Sequence, residues 1–240
     1  MAFDNYKNPD ERDFTTGAVI GDKAQGKSSF LALYAKQYLD INESQEKSKR
    51  VLIHDPSEAW AFQQFETITV EELTYGVKLP KTGKRHFWRK GIRRIINEED
   101  DELVLKAIKR YMRNGLVIFD EARDWMGDNP KKWQKELFTK HRNLGLDLMF
   151  VFHNFMDIPI SLRPHIWMYI LFKTPEKPDG AQWFARRRFP NPKQLYEAWA
   201  SVERKPYFKS RILQEYAVFE KSFDSVLAIQ LGDDEADLTE

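Results

Sequence analysis

Read for its apolar and polar positions, the chain is a series of short apolar runs separated by amphipathic stretches. The runs span 14–20 (FTTGAVI), 51–54 (VLIH), 92–96 (IRRII), 116–119 (LVIF), 146–152 (LDLMFVF) and 166–172 (IWMYILF), with a brief extended segment at 67–69. Each predicts a strand. Between them, KSSFLALYAKQYL repeats Phe30, Leu31, Tyr34, Ala35, Tyr38 and Leu39 at helical spacing. Asp55 as a cap and Pro56 as a first residue predict a helix over SEAWAFQQF. The stretch EEDDELVLKAIKRYMRN starts acidic and ends basic, which suits a helix dipole, with Gly115 as its stop. KKWQKELFTKHR and PKQLYEAWASVE predict two further helices, whereas RDWMGDNP reads as a mobile stretch. Strands alternating with helices predict an α/β fold, a mainly parallel sheet with helices on both faces.

Beyond Lys173 the pattern weakens: TPEKPDG is a turn region, and KSRILQEYAVFEKSFDSVLAIQL is apolar but ambiguous in type. The expected organisation is a polar leader (1–13), a core (14–174), a small C-terminal extension packed on it (175–232) and an acidic, disordered tail (233–240).

The first apolar run leads into Gly21-Asp22-Lys23-Ala24-Gln25-Gly26-Lys27-Ser28-Ser29, which fits the phosphate-loop pattern G-x-x-x-x-G-K-[ST]. It lies between a strand and a helix, the context that the motif requires. The glycines let successive N–H groups point inward at an anion, and the helix's positive end faces the same spot. Lys27 would reach the β- and γ-phosphates of ATP, and Ser28 would place its hydroxyl on Mg²⁺.

A second element, LVIFDE, lies about ninety residues on and ends in Asp120 and Glu121. Four apolar residues place the acids at the carboxyl end of a central strand, where open α/β sheets bind ligands. Asp120 would hold the Mg²⁺ shell and Glu121 would polarise an attacking water. This reading expects the carboxylates to converge on the phosphate turn from a strand neighbouring it. A third element, LDLMFVFHN, ends in His153-Asn154, of which the amide Asn154 is preferred as the group that bonds phosphate and lytic water; alternatively Asn154 merely starts a turn. Arg142, at a loop edge before that strand, fits either an arginine supplied in trans or a surface residue at a helix end, with Arg163 and Arg186–Arg188 as rivals.

Composition narrows little else. The 38 basic and 37 acidic residues leave a net charge of +1, so overall charge names no partner. The absence of cysteine removes disulfides and thiolate metal sites. No apolar run approaches the length of a membrane span, and the N-terminus is polar and acidic, so an intracellular soluble protein is expected.

The ordered set GDKAQGKS, VLIHDPSEAW, LVIFDEA, KHRNLGLDLMFVFHN and IPISLRPHIWMYILFKT resembles the HerA/FtsK-like motor ATPases, most of all their viral genome-packaging branch. In that family the second strand ends in Asp-Pro and a following acid, matched by Asp55, Pro56 and Glu58. An arginine precedes the fourth strand (Arg142), and an amide, usually Gln, ends it (Asn154). The resemblance implies a RecA-like P-loop NTPase of the ASCE type over residues 14–174, using ATP and Mg²⁺. It also implies a homo-oligomeric ring with ATP at subunit interfaces, Arg142 acting in trans and DNA in the middle. The place of action would be the host cytoplasm or the virion, with a capsid vertex or a membrane protein as a further partner. With the core beginning near Phe14, a minimal motor is expected.

A translocase needs Lys and Arg facing its channel. Lys84, Arg85, Arg89 and Lys90 lie in a run (81–94) with seven basic and no acidic residues; Lys131 and Lys132 follow the Asp-Glu pair. A solvated basic loop is the plainer reading of both. Two other functions stay open: an assembly or secretion ATPase of filamentous viruses, resembling the zonula-occludens-toxin-like family, and a small-molecule kinase.

Overall fold

The computed structural model describes residues 15–44, 50–79, 81–96, 100–203, 216–220 and 226–229. The expected polar leader and acidic tail lie outside the described residues.

Eleven strands are described: β1 (Thr16–Ile20), β2 (Arg50–Asp55), β3 (Glu66–Thr67), β4 (Val77–Lys78), β5 (Arg85–His86), β6 (Gly91–Ile96), β7 (Gly115–Phe119), β8 (Leu146–Phe152), β9 (Met168–Leu171), β10 (Tyr216–Glu220) and β11 (Val226–Ile229). The helices are α1 (Lys27–Ser44), α2 (Val70–Tyr75), α3 (Asp101–Tyr111), α4 (Ala122–Met126), α5 (Lys132–Lys140), α6 (Ala181–Arg186) and α7 (Pro192–Glu203). The main sheet has the order β11-β10-β9-β1-β8-β7-β2-β6-β3, and β4 and β5 form a separate ribbon. Its seven strands from β9 to β3 are parallel. The hairpin β10–β11 extends it antiparallel at the β9 edge, which resolves the ambiguous apolar segment into strands.

Side-chain alternation sends each strand's residues to two cores. Val19, Ile53, Ile118 and Val151 face α1 through Leu31, Ala35 and Tyr38. Ala18, Leu52, Phe119 and Phe150 face the opposite core, built with α3, α5 and α7. Strands β1, β2, β7, β8 and β9 are buried on both faces, which explains their nearly continuous apolar runs.

Three expectations are corrected. No helix forms over SEAWAFQQF; Glu58 takes a positive φ of 50°, and only a single 3-10 turn follows at Trp60–Phe62. Gly115 does not stop α3, which ends at Tyr111 with Met112 extended. Instead Gly115 opens β7 where a Cβ would meet the Arg50 carbonyl oxygen at 2.5 Å. The stretch expected to be mobile contains α4, anchored by Trp125 against Phe119 at 5.2 Å between ring centres.

Candidate nucleotide site

The phosphate turn is tied to the ends of two strands. Gly21 N–H donates to the Phe152 carbonyl (3.2 Å) and Asp22 N–H to that of Lys173 (2.8 Å). Gly21 leaves no room for a side chain, because a Cβ would collide with that of Phe172. Ala24 and Gly26 adopt left-handed φ of 60° and 82°, a strained choice for alanine that bends the chain into a cup. Lys23 N–H is held by the Asp22 carboxylate at 2.7 Å, and the Lys23 side chain is exposed. Gln25 is buried and Ser29 half-buried in the first turn of α1. The buried Lys27 ammonium donates to the carbonyls of Gly21 (2.7 Å) and Asp22 (2.8 Å). Burial lowers its pKa, against the opposing pull of Glu121 and Asp120.

Asp120 follows β7, and its N–H is fixed by the His54 carbonyl at 2.9 Å. The sequence reading expects the strand carrying Asp120 to neighbour the one feeding the phosphate turn; the structure corrects this, because β8 lies between β1 and β7. Convergence survives this correction, since Ser28 Oγ points at Asp120 Oδ2 across 3.5 Å. Asp120 is 2% exposed, and its pKa rises to about 7 through burial and the neighbouring charges of Glu121 and Asp55. A buried carboxylate beside a serine hydroxyl fits a hard, oxygen-seeking cation such as Mg²⁺.

Glu121 is held at φ 48° as the entry to α4, which aims its side chain at the end of β8. There His153 Nε2 meets Glu121 Oε2 at 2.7 Å, while His153 Nδ1 stands 3.4 Å from Lys27 Nζ. The His153 hydrogen bond is the main cause of the lowered Glu121 pKa, and keeps this carboxylate ionised. Asn154 is placed differently: its Oδ1 accepts from Asp157 N–H at 3.0 Å and caps the turn 155–157. The alternation rule shows why. Ile118 and Val151 face α1, so residues two further on, Asp120 and His153, stay on the side of the phosphate turn. Extending that parity past the strand ends singles out His153 from sequence. Asp55 has the same parity, lies fully buried, and is paired with Arg94 at 3.2 Å.

Glu176 supports this loop from below, accepting from Met156 N–H at 3.0 Å, and burial raises its pKa from 4.5 to about 7. The sign follows directly. Stability that depends on the protonated acid is fully present below pH ~4.5 and is lost as pH rises through ~7. Glu176→Gln should therefore melt like the parent at pH 4.5 and about 2–4 °C higher at pH 8, measured by thermal denaturation.

Arg142 sits in the 3-10 turn Arg142–Leu144 before β8, exposed, with its guanidinium 5.1 Å over the Trp167 ring. In its own chain it stands across the sheet from the phosphate turn, about 20 Å away by the length of β8. Arg163 is 3% exposed, bonded to the Ile158 carbonyl at 3.0 Å and stacked on Phe189 at 4.3 Å, so it is committed to packing. Arg187 lies 3.9 Å over Trp183.

The two basic groups occupy opposite ends of the sheet. Lys84, Arg85, Arg89 and Lys90 belong to the β4–β5 ribbon and its exit into β6, at the amino edge. Arg85 is engaged by Glu71 at 2.8 Å and by the Tyr75 ring, whereas the side chains of Lys84, Arg89 and Lys90 are exposed. Arg93 and Arg94 pair with Glu66 and Asp55. Lys131 and Lys132 are exposed at the start of α5, on the carboxyl edge with the phosphate turn, and Lys131 is 3.8 Å from Glu102.

No family model matches the chain, and no curated protein matches it. Solved structures do. The genome packaging NTPase B204 from Sulfolobus turreted icosahedral virus 2, in complex with AMP, superposes with a TM-score of 0.63 at 15% identity, over 93% of this chain and 98% of that one. The same protein with ATP-gammaS gives 0.61 at 16% identity, over the same shares. The cytoplasmic domain of the Type VII secretion ATPase EccC from Thermomonospora curvata gives 0.50 at 13% identity, over 88% of this chain and 24% of that one. The strand order, the phosphate turn and these neighbours agree: the chain has the α/β fold of the P-loop NTPases.

Proposed function

We propose that this chain is an ATP-hydrolysing motor that moves viral DNA into a capsid. The observation that carries the reading is the meeting of Lys27, Ser28, Asp120 and Glu121 at one end of the sheet. Its likeness to a viral packaging NTPase over 93% of the chain supports the choice of cargo.

In this reading N–H groups of Ala24–Ser29, beyond the Gly21, Asp22 and Lys23 N–H groups that anchor the turn, cradle the phosphates, and Lys27 exchanges the carbonyls of its own loop for β- and γ-oxygens. Ser28 and Asp120 hold Mg²⁺, which when bound neutralises charge on those oxygens. Glu121 orients and deprotonates water for attack on the γ-phosphorus, releasing ADP and phosphate. Arg142 serves the site of a neighbouring copy in a homo-oligomeric ring, which its distance from its own phosphate turn favours. Asn154, through its amide NH₂, contacts the lytic water. Lys84, Arg85, Arg89 and Lys90 at one edge, and Lys131 and Lys132 at the other, hold DNA by its phosphates. Among the described residues no helix is long and apolar enough to cross a membrane, and a capsid vertex or membrane protein would be a separate partner.

The test is phosphate release with no added acceptor, measured with and without duplex DNA at low salt. Turnover stimulated by DNA is the expected result. A rate indifferent to DNA contradicts translocation, and a requirement for an acceptor molecule makes the chain a kinase.

A further inference from the structure

We propose that His153 is a positioning residue that bridges Lys27 and Glu121 in the nucleotide-free site and releases Glu121 when a triphosphate recruits Lys27. The inference rests on the ATPase reading above and assigns His153 a role within it.

The geometry admits one consistent placement of protons. An ammonium has three donors and no acceptor. Two of Lys27's donors go to the carbonyls of Gly21 and Asp22, and the third faces His153 Nδ1. Nδ1 therefore presents its lone pair, and the ring proton sits on Nε2, from which it is donated to Glu121 Oε2 at 2.7 Å. The imidazole relays a donor–acceptor polarity from cation to carboxylate. It also keeps the two groups apart. Both are partly removed from water, and opposite charges so placed attract strongly enough to close into a direct pair. Such a pair would withhold Lys27 from phosphate and Glu121 from water at once.

Binding of a triphosphate upsets the relay. Phosphate oxygens give Lys27 better acceptors than neutral carbonyls, because charge-assisted hydrogen bonds are about twice as strong. Once Lys27 turns to them, Nδ1 loses its donor and its lone pair faces an anion. The ring is then driven out of the bridge, and Glu121 is freed as its substrate arrives.

The experiment combines side-chain NMR with kinetics. The ring nitrogens of His153, assigned by comparison with His153→Gln, are followed in wild-type protein before and after addition of a non-hydrolysable ATP analogue with Mg²⁺. The expected free state is the Nε2–H tautomer, and the analogue should displace both nitrogen resonances. Unchanged resonances on a protein that binds the analogue overturn the proposal. In parallel, His153→Leu should lower kcat/KM at least about tenfold through loss of alignment. His153→Gln, whose amide oxygen can accept from Lys27 while its NH₂ donates to Glu121, should recover to within about threefold of wild type. Equal impairment of both variants, or a fully active Leu variant, also overturns it; matched melting temperatures separate this from misfolding. If wild-type protein neither binds the analogue nor hydrolyses ATP, it is the ATPase reading that fails.

Discussion

Replacing Glu121 by Gln is expected to stop ATP turnover while leaving nucleotide binding intact. Glutamine keeps the length of the side chain, and its amide oxygen can still accept from His153 Nε2. The backbone at φ 48° is no harder for glutamine than for glutamate, so α4 should start where it does now. What disappears is the negative charge and basicity that activate water. A positioned general base contributes about 10²–10⁴-fold, and kcat should fall by that amount. The affinity for a non-hydrolysable analogue should stay within about threefold, because the cradle and Lys27 are untouched. Binding titration beside a phosphate-release assay checks both. Full turnover in the variant would remove Glu121 from the chemistry.

Arg142→Ala should produce a comparable loss by a different route. Its guanidinium lies at the amino edge of the sheet, whereas the phosphate turn, Asp120 and Glu121 lie at the carboxyl edge. No side-chain rotation spans that gap within one chain, so any contribution to hydrolysis must be made to another copy. An arginine supplied in this way is worth about 10³-fold or more in kcat. The prediction becomes sharp when two defective proteins are mixed. An interface with Glu121 from the Arg142→Ala chain and Arg142 from the Glu121→Gln chain contains both intact groups. Mixing should therefore restore activity that neither protein shows alone. A silent mixture of proteins that still assemble, or an Arg142→Ala chain with wild-type turnover, would return Arg142 to a surface residue stacked on Trp167.

Much of the fold was legible because buried parallel strands write themselves as apolar runs. Residues 116–119 and 146–152 are strands almost to the residue. One failure is local, and the others share a physical cause: information carried by a neighbour distant in sequence. SEAWAFQQF has helical composition, yet Glu58 takes up a left-handed conformation that ends regular helix there. RDWMGDNP looks like a loop, but Trp125 finds Phe119 and His54 beneath it. Gly115 reads as a helix stop, while its absent side chain serves the close approach of Arg50's backbone. The basic run over 81–94 holds no acid of its own, and those that oppose it, Asp55, Glu66 and Glu71, lie earlier in the chain.

The site divides along the same line. The phosphate turn is local, so its glycines, Lys27 and Ser28 were identifiable from a nine-residue stretch. Asp120 and Glu121 were legible because the apolar run 116–119 places both at the carboxyl end of a buried strand. Strand alternation carried two residues past Val151 points to His153, whereas a preference for an amide selects Asn154, whose Oδ1 accepts from Asp157 N–H. What no local pattern could supply was the strand order. That β8 separates β1 from β7, and so delivers His153 between Lys27 and Glu121, is a property of the sheet.

The central claim is that two segments about ninety residues apart serve one triphosphate. Backbone hydrogen exchange, with and without a non-hydrolysable ATP analogue and Mg²⁺, addresses it most directly. The account predicts slowed exchange in peptides covering Gly21–Ser29 and, at the same analogue concentration, in those covering Asp120–Met126. Protection confined to the first segment, with the second unaffected at saturation, would contradict it.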